Sequence, residues 1–161
     1  MVVSQLLISR GFRFDEVTEY DLDAYLNVKR SCYKKYVDQY YGGWVEDIQI
    51  EMNTDIFVKT RKQSCFQKIL LNDETVGFLG YDEQEDRIDG ITIQMVEKAQ
   101  NKGVGSHYLE QIMRLSNESN KLIFLKVFKS NPAQKLYERF GFVVYSETAS
   151  HYLMRYSPKS S

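Results

Sequence analysis

Seven consecutive residues, Gln100, Asn101, Lys102, Gly103, Val104, Gly105 and Ser106, have the types and spacing of an anion-binding loop. An apolar, β-branched run at residues 88–96 precedes them. Val104, Tyr108, Ile112 and Leu115 follow at spacings of four, four and three, the period of a helix. A strand therefore feeds a glycine loop, and the loop opens a helix. Gly103 and Gly105 carry no Cβ and leave backbone N–H groups bare. The first N–H groups of a helix have no intrahelical partner and sit at the positive end of its dipole, a setting suited to a pyrophosphate. Lys102 adds a positive charge nearby. Two better-known phosphate loops are excluded. No G-x-x-x-x-G-K-[ST] is present, and Tyr108 stands where the dinucleotide fingerprint needs its third glycine.

What remains, Q-x-x-G-x-G, resembles motif A of the GNAT N-acetyltransferase superfamily. A second stretch, residues 125–142, resembles the family's motif B: a strand, Asn131, a short helix carrying Ala133 and Leu136-Tyr137-Glu138, then Gly141-Phe142. Together the two motifs span residues 88–144 in the family's order and separation. The sequence departs from the pattern in places. Asn131 and Tyr137 are six apart where seven is common, Glu97 and Ala99 replace a frequent Pro and aromatic residue, and Asn101 replaces a frequent Gly. None of these removes a backbone donor. The resemblance implies an α/β fold with a mixed, mostly antiparallel sheet whose fourth and fifth strands splay apart. It also implies acetyl-CoA as acetyl donor, its pyrophosphate on residues 100–106 and its pantetheine arm between the splayed strands, near Asn131. The leading function is transfer of the acetyl group to an amine acceptor, a small molecule or peptide, by direct attack in a ternary complex. A non-catalytic acyl-CoA-binding module and a phosphate- or nucleotide-binding module stand as alternatives. Thiol release with an amine, and competition of ATP against CoA, would separate the three.

Acetyl transfer needs a deprotonated amine, a donor for the thioester oxygen as charge develops, and stabilisation of the leaving thiolate. Tyr137 matches the family tyrosine whose hydroxyl serves the sulfur. A phenol stays protonated at neutral pH and can donate. For the base, strand alternation places Asp89 on one face with Ile91, Ile93 and Met95, where an apolar row could desolvate it and make it more basic. Asp89 also falls where some members of the superfamily carry a catalytic glutamate, although Asp89-Gly90 is equally a turn dipeptide. His151, titrating near neutrality at the start of the last strand, is the other candidate, and a base acting through water is a third option. His107 lies inside the helix after the glycine loop, where packing is the expected role. The oxyanion donor is expected to be a backbone N–H of Ile93, Gln94 or Met95.

These residues must be positioned by an alternating order of elements, β-α-α-β-β-β-α-β-α-β-β. A first strand covers residues 12–17. Thr18, with Asp21 three residues on, offers a capping-box-like start to a helix running to about Tyr40. Its stripe is Leu22, Tyr25, Leu26, Tyr33, Tyr36, Val37 and Tyr40. Gly42-Gly43 breaks it, and a second helix from Trp44 or Val45 carries Ile48 and Met52. Residues 65–71 and 75–81 read as a hairpin around Asn72-Asp73-Glu74, and the acidic run 82–86 as a solvated turn. Beyond the glycine loop come a helix at 104–117, a strand at 122–128, a helix at 132–140, and strands at 142–148 and 151–156. Pro132 suits a helix start and Gly141 the residue just past its end. The cluster Tyr36, Tyr40, Tyr41 and Trp44 reads either as core between helices or as the wall of the acceptor pocket, since Tyr and Trp combine an apolar body with a polar tip.

Length and composition frame the rest. A chain of 161 residues, 43% apolar and 27% charged, reads as a single globular domain spanning 1–161. A net charge of −1 gives no reason to expect nucleic acid or an anionic membrane as partner. Cys32 and Cys65 have no metal-ligand spacing and read as reduced thiols of a cytoplasmic protein, with no metal expected. The run Leu6-Leu7-Ile8 is too short for a signal peptide or membrane span. Residues 157–161 read as a frayed end. Many members of the family pair subunits, which makes a homodimer an expectation.

Overall fold

The computed structural model describes residues 1–159; of the end expected to fray, residues 160 and 161 lie outside the described residues. Twelve principal elements follow in order: α1 (Gln5–Ser9), β1 (Phe12–Glu16), α2 (Leu22–Tyr40), α3 (Glu46–Thr60), β2 (Cys65–Leu71), β3 (Glu74–Glu83), β4 (Arg87–Met95), α4 (Val104–Ser119), β5 (Leu122–Phe128), α5 (Ala133–Arg139), β6 (Val143–Glu147) and β7 (His151–Tyr156). The seven strands form one sheet in the order β1-β2-β3-β4-β5-β7-β6. Every pair is antiparallel except β4–β5. That parallel pair is joined only at Arg87↔Leu122 and Ile88↔Ile123. Beyond Ile88 the two strands diverge, while β4 continues along β3 to Met95 and β5 continues along β7 to Phe128.

Each face of the sheet has its own core. Leu7 of α1, Tyr108, Leu109 and Ile112 of α4, and Tyr137 of α5 pack with Ile69, Leu79, Ile88, Ile123 and Met154. The Tyr108 hydroxyl donates to the Gly80 carbonyl at 2.6 Å, so this buried phenol is satisfied. On the other face Tyr25 and Val28 of α2 and Phe57 of α3 meet Phe66 and Phe78. The Tyr25 ring lies 5.2 Å from both Phe57 and Phe78. The helices thus bracket the sheet, and the β4–β5 divergence opens between them.

Three local features differ from expectation, each for a physical reason. Thr18 does build a capping box with Asp21, but the box opens a 3-10 turn, Glu19–Asp21, and α2 starts at Leu22. α1 was not foreseen: five residues capped by the Ser4 side chain are too short to show a period. In α3 the inward line is reversed. Ile48 and Met52 are exposed, and Gln49, Asn53, Phe57 and Thr60 are buried. Phe57 fixes the phase by packing on Tyr25 and Phe66. Gln49 and Asn53 share its side of the helix and satisfy each other, Asn53 Nδ2 donating to Gln49 Oε1 at 3.4 Å.

Candidate active site

The glycine loop begins where β4 ends. A 3-10 turn, Glu97–Ala99, buries Ala99, and Gln100 then folds its side chain back so that Nε2 donates to the Met95 carbonyl at 2.8 Å. Asn101 lies in the left-handed region at φ +60°, which asparagine tolerates better than most side chains and which fits its place at a frequent glycine. Gly103, at φ +97°, caps α4 without a side chain. The first backbone bond back onto this cap runs from His107 to the Gly103 carbonyl at 3.0 Å. The N–H groups of Val104, Gly105 and Ser106 therefore stand open at the positive end of a 16-residue helix. From behind, the Arg10 guanidinium donates to the Lys102 carbonyl and holds the loop in place.

A cleft of about 890 Å³ starts at these amides and runs through the β4–β5 gap. Ile93, Gln94, Met95, Gln100, Asn101, Gly103, Gly105, Ser106, Asn131 and Tyr137 line it, together with Tyr36 of the aromatic cluster. Lys102 and Val104 do not. The Lys102 side chain is exposed outside the cleft, and Val104 turns into the core, offering only its N–H. Across the cleft, a Cβ on Gly105 would stand 3.4 Å from Leu136 of α5, so there is little room for a side chain here. Lys135 and Arg139 of α5 reach the same cleft and supply cations that sequence reasoning missed. Asn131 spends its Oδ1 on the Ala133 N–H at 2.9 Å, a helix-start bond, while its Nδ2 has no partner among the described residues.

Tyr137 is 7% exposed, with its ring 5.8 Å from Phe142. Burial pushes its phenol up to about 12, so it holds its proton throughout the physiological range. Transfer of that proton to a thiolate of ordinary pKa, about 8.5, would be uphill. The hydroxyl can therefore steady a leaving sulfur as a hydrogen-bond donor. On the α2 side of the gap stands Tyr33, half-buried, held protonated first by desolvation and then by the neighbouring Tyr137. Cys32 lies beside it, its thiol donating to the Met95 carbonyl at 3.3 Å. Burial pushes this thiol up to about 11, which makes it a poor nucleophile. Neither residue stood out in the sequence, where Tyr33 was one member of a helix stripe.

The two base candidates have different surroundings. Asp89 is not on the face of Ile91, Ile93 and Met95. Thr92 pairs with Gly80 and Asp89 with Asp82, so Gly90 and Ile91 together oppose Tyr81 alone. Gly90, at φ +60°, makes this bulge possible. One extra residue reverses the alternation, and Asp89 leaves the cleft wall. Its Oδ1 accepts from Gln84 Nε2 at 2.8 Å, and burial followed by repulsion from Asp82 raises its pKa. His151 pairs with Phe128 at the far end of β5, its ring 4.1 Å from the Phe128 ring. Its Nδ1 bonds Ser150 Oγ at 2.7 Å, and Ser150 Oγ bonds the Tyr41 hydroxyl at 2.9 Å. Burial, then the charge of Lys126, lowers its pKa, which keeps the ring neutral at pH 7. Nε2 has no partner among the described residues. His151 stands beside the cleft rather than on its wall. His107, as expected, is structural: its Nε2 meets the Val2 carbonyl at 2.7 Å.

The aromatic cluster divides. Tyr36 and Tyr40 both stack on Phe128, at 4.9 and 5.7 Å. Trp44 is at the α2–α3 corner away from the cleft, its indole N–H donating to Glu46 at 2.9 Å. Among the described residues no group of three or more His, Cys, Asp or Glu could hold a metal, and no helix is long and apolar enough to cross a membrane.

Comparison with known proteins adds three findings. The model of the Acetyltransferase (GNAT) family matches residues 29–142, which include both glycine loop and α5. No curated protein sequence matches the chain. Many solved structures share the fold at low identity. The PaiA N-acetyltransferase of Thermoplasma acidophilum in complex with coenzyme A superposes with a TM-score of 0.71 at 16% identity, over 91% of this chain and 98% of that one. Ard1 of Thermoplasma volcanium gives 0.65 at 17%, over 93% and 99%. Arabidopsis thaliana Naa50, in complex with a bisubstrate analogue, gives 0.64 at 19%, over 91% and 99%.

Proposed function

The chain belongs to the GNAT acetyltransferase family, and from that premise we propose that it is an acetyl-CoA-dependent N-acetyltransferase whose amine acceptor attacks the thioester directly. The observation that carries this reading is the shared cleft. The open amides of α4, the unpaired edge of β4 beyond Ile88 and the protonated Tyr137 all face one channel. The cleft suits the donor: N–H groups, Lys135 and Arg139 lie at one end, and apolar walls from Ile93, Met95 and Leu136 lie farther in.

Acetyl-CoA, when bound, supplies the acetyl group on a thioester. The protein supplies the rest. The amides of Val104, Gly105 and Ser106 hold negative charge without deprotonation. Ile93 and Met95 present backbone N–H groups on an edge that no strand pairs, where they can receive charge on a carbonyl oxygen, while Gln94 between them turns its N–H toward β3. The acceptor ammonium first gives up one proton to water; His151 Nε2 takes the second as the amine attacks, with Ser150 and Tyr41 fixing its ring through Nδ1. Tyr137 donates a hydrogen bond to the departing sulfur. As the new N–C bond forms and the C–S bond breaks, the amine proton ends on His151 and the electron pair on sulfur. The protonated Cys32 argues for direct transfer rather than an acyl-cysteine. Two copies of the chain in a cytoplasmic setting fit this reading.

The test is an amine panel with acetyl-CoA, reading free thiol against time. Steady thiol release with at least one amine is expected. CoA binding without release from any amine would instead favour a binding module, and failure to bind CoA would overturn the donor assignment.

A further inference from the structure

On the α2 side of the β4–β5 gap, three hydrogen-bond donors come from three elements: two lysines without a carboxylate partner and one buried amide. The first is Lys29. Its inward direction follows from helix spacing: Tyr25 and Tyr33 lie four residues to either side of it, and both face the sheet. The ammonium stands 4.7 Å from the Tyr33 ring centroid and 5.8 Å from that of Tyr25. Half-buried lysines elsewhere in this fold have carboxylates: Lys34 pairs with Asp38, Lys68 with Asp21, Lys121 with Glu83 and Lys129 with Glu147. Lys29 is the exception among the described residues. Burial, with a contribution from Lys126, pushes it down to about 8, so its charge is poorly compensated.

The second donor is Lys126. It alternates along β5 with Phe124 and Phe128, and Phe128 stacks under Tyr36 of α2, so Lys126 projects to the same side. It has no carboxylate within ion-pair distance and acts electrostatically on both Lys29 and His151. The third is Gln94. Its side chain is 4% exposed and borders the cleft, and its Nε2 approaches the Tyr25 hydroxyl without completing a well-formed hydrogen bond. A buried amide left without a partner is costly and calls for an acceptor.

We propose that Lys29, Lys126 and Gln94 form the acceptor's anion subsite, so that the physiological acceptor is a small amine that also carries a carboxylate, as an amino acid does. The proposal rests on the N-acetyltransferase reading and names its substrate class. Two cations and an amide N–H present only donors, which a carboxylate satisfies and an ammonium does not. A polyamine would bring more positive charge to a site that has two cations already. Tyr33 and Tyr36 line the cleft, and their aromatic surfaces suit an apolar body between the amine and the carboxylate.

The experiment uses the whole chain with acetyl-CoA and three sets of probes: the standard α-amino acids, the amines obtained by decarboxylating them, and spermidine. Thiol release gives kcat/KM, and calorimetry on the CoA-loaded protein gives binding without turnover. The best amino acid should exceed its decarboxylated amine at least tenfold in kcat/KM. Lys29→Met and Lys126→Gln should each reduce that ratio at least threefold through the amino acid's KM, with CoA affinity kept. Lys126 is exposed, so its variant tests the proposal even if Lys29→Met fails to fold. Preference for spermidine or for the decarboxylated amines overturns the anion subsite and leaves the acetyltransferase reading intact, as does a ratio unchanged in Lys126→Gln. If no amine releases thiol, the activity fails. Calorimetry then decides: amino-acid binding that weakens in Lys126→Gln sustains the subsite, and absence of such binding overturns it.

Discussion

The two sides of the β4–β5 gap are built from different materials. The α4 side recognises its ligand with backbone: amides of Val104, Gly105 and Ser106, exposed because Gly103 caps the helix without a side chain. The α2 side is made of side chains from separate elements: Tyr33 from α2 and Gln94 from β4 line the cleft, Lys29 of α2 stands against Tyr33, and Lys126 and Phe128 of β5 project to the same side of the sheet. Backbone donors need one conformation and few residue types, so a short glycine motif suffices. A pocket of side chains leaves no local pattern, because its members are set by register and helix phase. That contrast predicts single variants with sharp, separable effects on the donor side and graded, acceptor-specific effects on the other.

The largest expected effect is on the donor side. Gly105→Glu would place a carboxylate at the open end of α4, where a Cβ already meets Leu136 at 3.4 Å. CoA affinity should fall by about 100-fold, roughly 2.7 kcal/mol, with little change in melting temperature. Unchanged affinity by calorimetry would break the comparison at its base, because the amides of α4 would then not be the phosphate site.

Next come the residues that serve both sides. Tyr137→Phe keeps the ring against Phe142 and removes only the hydroxyl. The phenol acts as a hydrogen-bond donor, so kcat should drop by about 10–100-fold, the low end of acid–base effects or just below, while the acetyl-CoA KM moves less. Full turnover in a folded variant would remove Tyr137 from the chemistry. His151→Gln should cost about tenfold or more in kcat/KM at pH 7 and change its pH profile. Only neutral imidazole can take a proton. Burial and Lys126 depress the folded pKa, so wild-type activity should persist below pH 6.5 before it falls. In the variant that acid limb should vanish. Stability has the same sign: the unfolded imidazole binds a proton more readily, so the contribution of His151 is complete above its unfolded pKa and lost as pH falls through the lower folded one. A limb that survives in His151→Gln would hand the base role to another group or to water.

The same contrast explains what could be read in the sequence. β5 and β7 were bounded correctly, and α4 began at Val104 as its period implied. These elements carry clear alternation or a clear stripe. Asp89 was placed on the wrong face because Gly90 adds one residue to β4, and a period-2 argument cannot see a bulge. Ile48 and Met52 set the expected phase of α3, whereas Phe57 fixes it and turns Gln49 and Asn53 inward. The donor loop was legible because its information is contiguous. Lys29, Gln94 and Lys126 were not, since nothing in the order of residues shows that 29, 94 and 126 share one side of a gap.

Trp44 tests how far the acceptor side extends, and its expected effect is the smallest. In sequence it stood with Tyr36 and Tyr40 as a wall of the acceptor pocket. In the structure its backbone N–H donates to Asp38 at 2.8 Å, and its indole N–H donates to Glu46, which also meets Arg30 at 3.3 Å. These bonds close the corner between α2 and α3, outside the cleft. Trp44→Ala would remove the indole bond and a half-buried ring and leave the backbone bond. A corner role implies a loss of about 1 kcal/mol, hence a melting temperature lower by roughly 2–4 °C. The acceptor KM should move by less than about threefold, since neither α2 beyond Tyr40 nor the turn reaches the anion subsite. A tenfold rise in acceptor KM at an unchanged melting temperature would reverse that reading. The acceptor would then extend over the Gly42-Gly43 turn to the α2–α3 corner, and an amine longer than an amino acid would be required to span the distance.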